Sequence, residues 1–153
     1  MREVYRICHQ KYAADLSGKG AGLFGGRWNP VGMPMLYTAG SIALACLEYL
    51  AHNMHLFQGG DLSLITLEIP EDIVQLALSD LPDQWPASDS DHRVSQQMGA
   101  NFLQQNECLA LEVPSAIVPQ ETNVLINPMH PEASEIKITN RIAPFVLDER
   151  LYR

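Results

Sequence analysis

A chain of 153 residues, 46% hydrophobic and 18% charged, is long enough to bury one core and too apolar to be disordered. Its formal charge of −8 excludes a protein that tracks a nucleic-acid backbone, which needs a basic face, but not a small anion held by one or two arginines. Cys8, Cys46 and Cys108 form no C-x-x-C, so neither a zinc ribbon nor a redox pair is signalled. The opening "MREVYRICHQ" lacks the apolar stretch of a secretory signal, and no apolar run is long enough to span a membrane; a cytoplasmic protein is expected. No repeat or linker divides the sequence, which reads as one domain over residues 1–153.

"EVYRICH" predicts a first strand, with Tyr5 and Ile7 on one face and Val4, Arg6 and Cys8 on the other. The glycine-rich stretch from Gln10 to Pro34 reads as a long ordered loop, of the kind that in a compact domain is usually functional or mobile. "MLYTA" is a strand, and Ser41 caps the helix "SIALACLEYLAHNM". "LSLITLEIP" is a strand closed by Pro70, and the segment from Leu81 to Asp91 is a loop. "HRVSQQMGANFLQQN" predicts a helix with Val94, Met98 and Phe102 as its stripe. "CLALEVPSAIVP", broken at Pro114, then "NVLIN", "EIKITN" and "APFVLD" read as strands. Strands outnumber helices and cluster late, which predicts a mixed α+β sheet fold rather than a doubly wound one.

Three places attract chemistry. "FGGRWNP", residues 24–30, sets Arg27 beside Gly25, Gly26 and Trp28: glycine admits close approach to the backbone, and a guanidinium offers a fork of donors for phosphate or carboxylate. A turn that merely contains an arginine is the plain alternative. Glu48 lies at the edge of the arc of Leu44, Leu47 and Ala51, where a carboxylate is expensive to bury unless paired; it either reaches solvent or points into a cleft. "EVPSAIVP" places Ser115 between Pro114 and Pro119, at an edge or bulge where a hydroxyl can face a ligand or simply end a strand. Asn123 and Asn127, four apart, share a face if the strand runs on, as a polar lining.

Other chemistries are disfavoured. His52 and His55 follow Glu48 at helical spacing, but E-x-x-x-H-x-x-H is not the zinc-protease pattern, and no metal is expected. "GKGAGLFGG" matches neither a P-loop nor a dinucleotide fingerprint, and Ser115 lacks the G-x-S-x-G of a hydrolase nucleophile.

With these residues collected, the sequence resembles the RES domain, named for Arg, Glu and Ser and found in toxins of bacterial toxin–antitoxin pairs. The resemblance rests on "YR" at 5–6, "GGRWNPVGMPMLYTAGSIALACLE" at 25–48, "VPSAIVP" at 113–119, "NVLINPMHP" at 123–131 and "FVLDERL" near the end. It departs at Phe102, where such sequences often carry tryptophan after the helical glycine, here Gly99.

The resemblance implies an ADP-ribosyltransferase-like fold, a small split mixed sheet with flanking helices and an NAD-binding cleft. It implies cleavage of the nicotinamide–ribose bond of NAD by phosphorolysis or hydrolysis, with NAD as substrate, inorganic phosphate as possible co-substrate and no resident cofactor. Protein ADP-ribosylation, or a non-catalytic module that docks an antitoxin, are the alternatives. The implied partner is an Xre-like helix-turn-helix antitoxin, in a homodimer or higher toxin–antitoxin assembly, with no direct nucleic-acid contact. Carried onto this sequence, Arg27, Tyr37, Glu48 and Ser115 are the catalytic set, and Arg6, Gly26, Trp28 and Asn127 bind the dinucleotide. Arg27, with Arg6, would hold phosphates; Glu48 would face the ribose; Tyr37 and Trp28 would stack on a ring. Ser115 would hold an amide, a ribose oxygen or the attacking group.

Overall fold

The computed structural model describes residues 1–54, 60–83, 85 and 92–152. Among these residues, seven strands form one sheet in the order β4-β5-β6-β2-β1-β3-β7, all neighbours antiparallel except β4 and β5. They are β1 (Arg2–His9), β2 (Leu36–Ala39), β3 (Leu62–Ile69), β4 (Ile73–Gln75), β5 (Ala110–Pro114), β6 (Thr122–Ile126) and β7 (Lys137–Ile142). The helices are α1 (Lys19–Phe24), α2 (Ile42–Asn53) and α3 (Arg93–Gln105). This is the expected mixed α+β architecture, and the sheet is split. β1 pairs with β3 from Arg2 to His9 but meets β2 at Tyr5↔Ala39 alone, so the two halves part beyond that point.

Alternation along the strands builds two apolar faces. Val4, Leu36, Ile65, Leu67, Val124 and Ile126 form one core, covered by Ala13 and Leu16 from the segment after β1 and by Ala133 and Ile136. On the opposite face Leu111, Val113 and Leu125 pack with Trp28, Phe102 and Leu103, while Ala39 packs with Leu44 and Ala45 of α2. No helix among the described residues is long and apolar enough to cross a membrane.

Several elements differ from expectation, each for a local reason. The glycine-rich loop contains α1, which begins after Gly18 in the left-handed region and ends where the Gly25 N–H returns to the Ala21 carbonyl. "APFVLD" forms no strand: Pro144 lacks a donor, and Phe145 and Leu147 instead pack on Leu50 and Leu62. β4, three residues long, was too short to announce itself by periodicity. The loop expected from Leu81 to Asp91 lies largely outside the described residues.

Both long helices are turned relative to their predicted stripes. In α2, Leu44, Ala45 and Leu50 are buried whereas Leu47 and Ala51 are exposed, so Glu48 comes further inward than the predicted arc implies. In α3, Val94 is 50% exposed, and Ser95, Gly99, Ala100, Phe102 and Leu103 face inward. Gly99 explains the rotation: a Cβ there would lie 1.6 Å from the Trp28 carbonyl oxygen. The helix backbone therefore rests directly on the loop that carries Arg27.

Gly99→Ala should cost about 3 kcal/mol and lower Tm by roughly 10 °C in a thermal melt, since overpacked backbone has nowhere to move. Gly20→Ala is the control: nothing lies within 4 Å of the added methyl, and removing a helical glycine should leave Tm unchanged or raise it.

Candidate active site

The loop bearing Arg27 is held from three sides. Tyr37 of β2 donates its hydroxyl to Asn29 Oδ1 at 2.6 Å and accepts from the Trp28 N–H at 3.1 Å. Asn29, fully buried, donates to the carbonyls of Ala21 and Met33 at 2.8 and 3.0 Å. From α3, Ser95 Oγ donates to the Arg27 carbonyl at 2.5 Å and Gln96 Nε2 to that of Gly26 at 2.9 Å. What the glycine admits is the tyrosine: a Cβ on Gly26 would lie 2.7 Å from the Tyr37 hydroxyl. Burial pushes Tyr37 up to about 12, so at neutral pH it is a phenol and a hydrogen-bond hub.

With its backbone fixed, Arg27 projects a half-buried side chain. Burial lowers its pKa, and the charge on Glu48 and then Tyr37 oppose that shift. A guanidinium keeps its charge regardless. Its Nη1 is buried and has no hydrogen-bond partner among the described residues. A buried cationic N–H without an acceptor costs free energy, and an anion seated there recovers it.

Glu48 projects from α2, its side chain 20% exposed. Two donors converge on one of its oxygens: Ser115 Oγ reaches Oε1 at 2.9 Å and Asn123 Nδ2 reaches it at 2.6 Å. Oε2 accepts no hydrogen bond from a described residue. His52 Nδ1 lies 3.8 Å from Oε2 but only 2.7 Å from the Glu48 backbone carbonyl. The carboxylate is thus anchored through one oxygen and available through the other.

Ser115 departs from its expected role. It is fully buried, and its oxygen accepts from the N–H groups of Ile117 and Val118 at 3.0 and 3.1 Å while donating to Glu48. A hydroxyl so engaged has neither exposure nor spare capacity for an amide, a sugar oxygen or an attacking group; it positions Glu48. The edge predicted at Pro114 is real, because β4 ends opposite Glu112 and leaves that side of Pro114 unpaired.

The residues expected to bind a dinucleotide are placed elsewhere. Trp28 is 3% exposed and packs in the core, its ring centroid 6.4 Å from that of Trp85, so it offers no face for stacking. Gly26 spends both backbone groups internally, its N–H on the Asn29 carbonyl and its carbonyl on Gln96. Asn127 lies past the end of β6, so the assumed alternation does not reach it; its side chain donates to Asn106 Oδ1 and accepts from the Met129 N–H. Arg6 shares the sheet face of Val4, opposite α2, and donates to the carbonyls of Tyr12 and Asp15 at 3.3 and 3.1 Å, pinning the segment after β1.

Asn123 is the residue undervalued in the sequence, where only its spacing from Asn127 marked it. Ser95 and Gln96 carried no signal at all, being 68 and 70 residues from the carbonyls they hold. His55 lies outside the described residues. Among those described, no group of three or more His, Cys, Asp and Glu is arranged to hold a metal. Two open surface hollows, of about 230 and 530 Å³, lie at Arg2 with the Ser41 end of α2 and at residues 146–152; neither includes Arg27 or Glu48.

The RES domain family model matches residues 3–148. A protein of Sphingobium sp. (strain YBL2) described as a Prs ADP-ribosylating toxin is 42% identical over 148 residues, covering 92% of this chain and 89% of its own. A Toxin Res of Photorhabdus laumondii is 36% identical over 152 residues, covering 98% and 97%. In fold, the chain is similar to one in the crystal structure of the M. tuberculosis MbcT–MbcA toxin–antitoxin complex, with a TM-score of 0.77 over 99% of this chain and 86% of that one, at 18% identity. With nearly its full length matched by the family model, and two relatives well above 30% identity, the chain belongs to the RES domain family.

Proposed function

We propose that this protein is the toxin of a toxin–antitoxin pair and cleaves the nicotinamide–ribose bond of NAD, with phosphate or water as acceptor. The observation that carries the reading is the pairing of two incomplete groups: an Arg27 guanidinium with a buried, unpartnered Nη1, and a Glu48 carboxylate anchored through Oε1 with Oε2 left available. The RES relatives described as toxins supply the setting. An Xre-like antitoxin is the proposed partner.

The bond to nicotinamide breaks through an oxocarbenium-like transition state, as in glycoside cleavage. Nicotinamide departs as a neutral molecule, so no strong general acid is required. What the site must supply is a grip on the diphosphate and negative charge beside the sugar as it turns cationic. Arg27 provides the grip, its fork matching two phosphate oxygens. Glu48 provides the charge through Oε2, and because Ser115 and Asn123 already fix its other oxygen, little reorganisation is needed as the sugar charge grows. Tyr37 holds the Arg27 loop in place rather than exchanging protons.

Transfer of ADP-ribose to a protein is the second reading, favoured by the printed description of the Sphingobium relative. Both reactions share the bond-breaking step and differ in the acceptor. A non-catalytic antitoxin-docking module is the third, and the retention of Arg27, Tyr37, Glu48 and Ser115 together argues against it.

Purified protein free of antitoxin should release nicotinamide from NAD, and dependence of the rate on inorganic phosphate separates phosphorolysis from hydrolysis; no release would defeat the proposal. Mass spectrometry for a protein-bound ADP-ribose tests the transferase reading. Glu48→Gln should lower kcat about 10³-fold with the melting curve little changed. Arg27→Lys should act mainly on KM, raising it roughly tenfold, since an ammonium cannot reproduce the bidentate fork.

A further inference from the structure

We propose that Asn123 is a second sugar-reading residue: its amide nitrogen locks Glu48 while its amide oxygen accepts the ribose 3′-hydroxyl, beside the 2′-hydroxyl taken by Glu48 Oε2. The inference rests on the NAD-cleaving reading above and adds the substrate feature that the site recognises, a vicinal ribose diol.

Three observations carry it. Asn123 Nδ2 is committed to Glu48 Oε1 at 2.6 Å, which orients the amide and leaves its Oδ1 with no donor among the described residues. An asparagine oxygen has two lone pairs to satisfy, and that of Asn123, on a half-buried side chain, is not among the buried unpartnered polar atoms, so a hydroxyl can reach it. Ser115, the other donor to Oε1, is fully buried and saturated, so it closes the inner side of the carboxylate. The open side then presents two acceptors, Glu48 Oε2 and Asn123 Oδ1, tied together by the hydrogen bond from Asn123 Nδ2 to Glu48 Oε1. Two adjacent acceptors call for two adjacent hydroxyls.

The assignment of hydroxyls follows from the chemistry. The carboxylate must stand beside the anomeric carbon, where cationic charge develops, and the 2′-hydroxyl is the one adjacent to that carbon. The 3′-hydroxyl, one carbon further on, falls to the neighbouring amide. Register supports the arrangement. Asn123 pairs with Ala39 of β2, whose side chain packs with Leu44 and Ala45 of α2, so the amide and the carboxylate meet above one sheet face. Asn123 thus acts on substrate directly, and on Glu48 as a positioning residue.

The test compares NAD with two analogues lacking either the 2′- or the 3′-hydroxyl of the nicotinamide ribose, read as nicotinamide release by wild-type protein and by Asn123→Ala. Wild type should disfavour each analogue by roughly 10²-fold or more in kcat/KM. Asn123→Ala should turn over NAD about 10²-fold more slowly and lose its discrimination against the 3′-deoxy analogue, while still rejecting the 2′-deoxy one. A role confined to positioning Glu48 would lower all three rates together, and that outcome, with circular dichroism showing a folded variant, would overturn the proposal. Should Asn123→Ala not fold, wild type decides alone: equal turnover of NAD and its 3′-deoxy analogue overturns the proposal and leaves NAD cleavage standing. No nicotinamide release from NAD itself would defeat both.

Discussion

A carboxylate that leans inward from a helix has to find donors, and the arrangement of Glu48 follows from that requirement. The rotation of α2 that buries Leu44 and Ala45 carries Glu48 toward the sheet, where desolvating the charge without partners would cost several kcal/mol. Both partners come from the β5–β6 hairpin, Ser115 from its turn and Asn123 from its returning strand, 67 and 75 residues away in sequence. Because both bind the same oxygen, satisfying the charge does not consume it. An anchored carboxylate with one oxygen left available is the feature on which the proposed cleavage rests.

The Arg27 side of the site solves the complementary problem by a different route. A cation is presented on a loop, and loops are ordinarily mobile. Here the backbone around Arg27 is gripped by α3 from one side and by the Tyr37–Asn29 pair from the other, and α3 approaches closely because residue 99 has no side chain. Each grip uses a carbonyl, a hydroxyl or an amide and leaves the guanidinium untouched. The price is a buried Nη1 with no acceptor among the described residues, a local destabilisation.

The split of the sheet ties the two halves of the molecule to this site. β1 and β2 touch at Tyr5 and Ala39 and then part, with Arg6 beside the parting. Arg6 does not reach toward Glu48 but fastens the segment after β1 through two carbonyls, which lets Ala13 and Leu16 cover the core on the opposite face. A residue expected to touch ligand thus serves the scaffold, as do Trp28, Gly26 and Asn127. Gly26 and Asn127 spend their polar groups on the protein itself, Arg6 commits its Nη1 to two carbonyls, and the ring of Trp28 is enclosed by core side chains.

By itself the sequence determined the strands with strong alternation, the Ser41 cap, the mixed α+β class and Arg27, Glu48 and Ser115 as residues worth watching, since periodicity, capping and glycine chemistry are local; Tyr37 came only with the resemblance to the RES domain. It also limited the chemistry through its acidity and its lack of metal and phosphate-loop spacing. It could not say which way α2 and α3 turn, because a stripe read at 100° per residue is uncertain by about one position, and Gly99 against the Trp28 carbonyl settles α3 only in three dimensions. Nor could it reveal that Ser115 is sealed while Asn123 stays open, or that Asn127 falls past the end of its strand. Those distinctions depend on which side of one carboxylate each group occupies, and only tertiary packing fixes that.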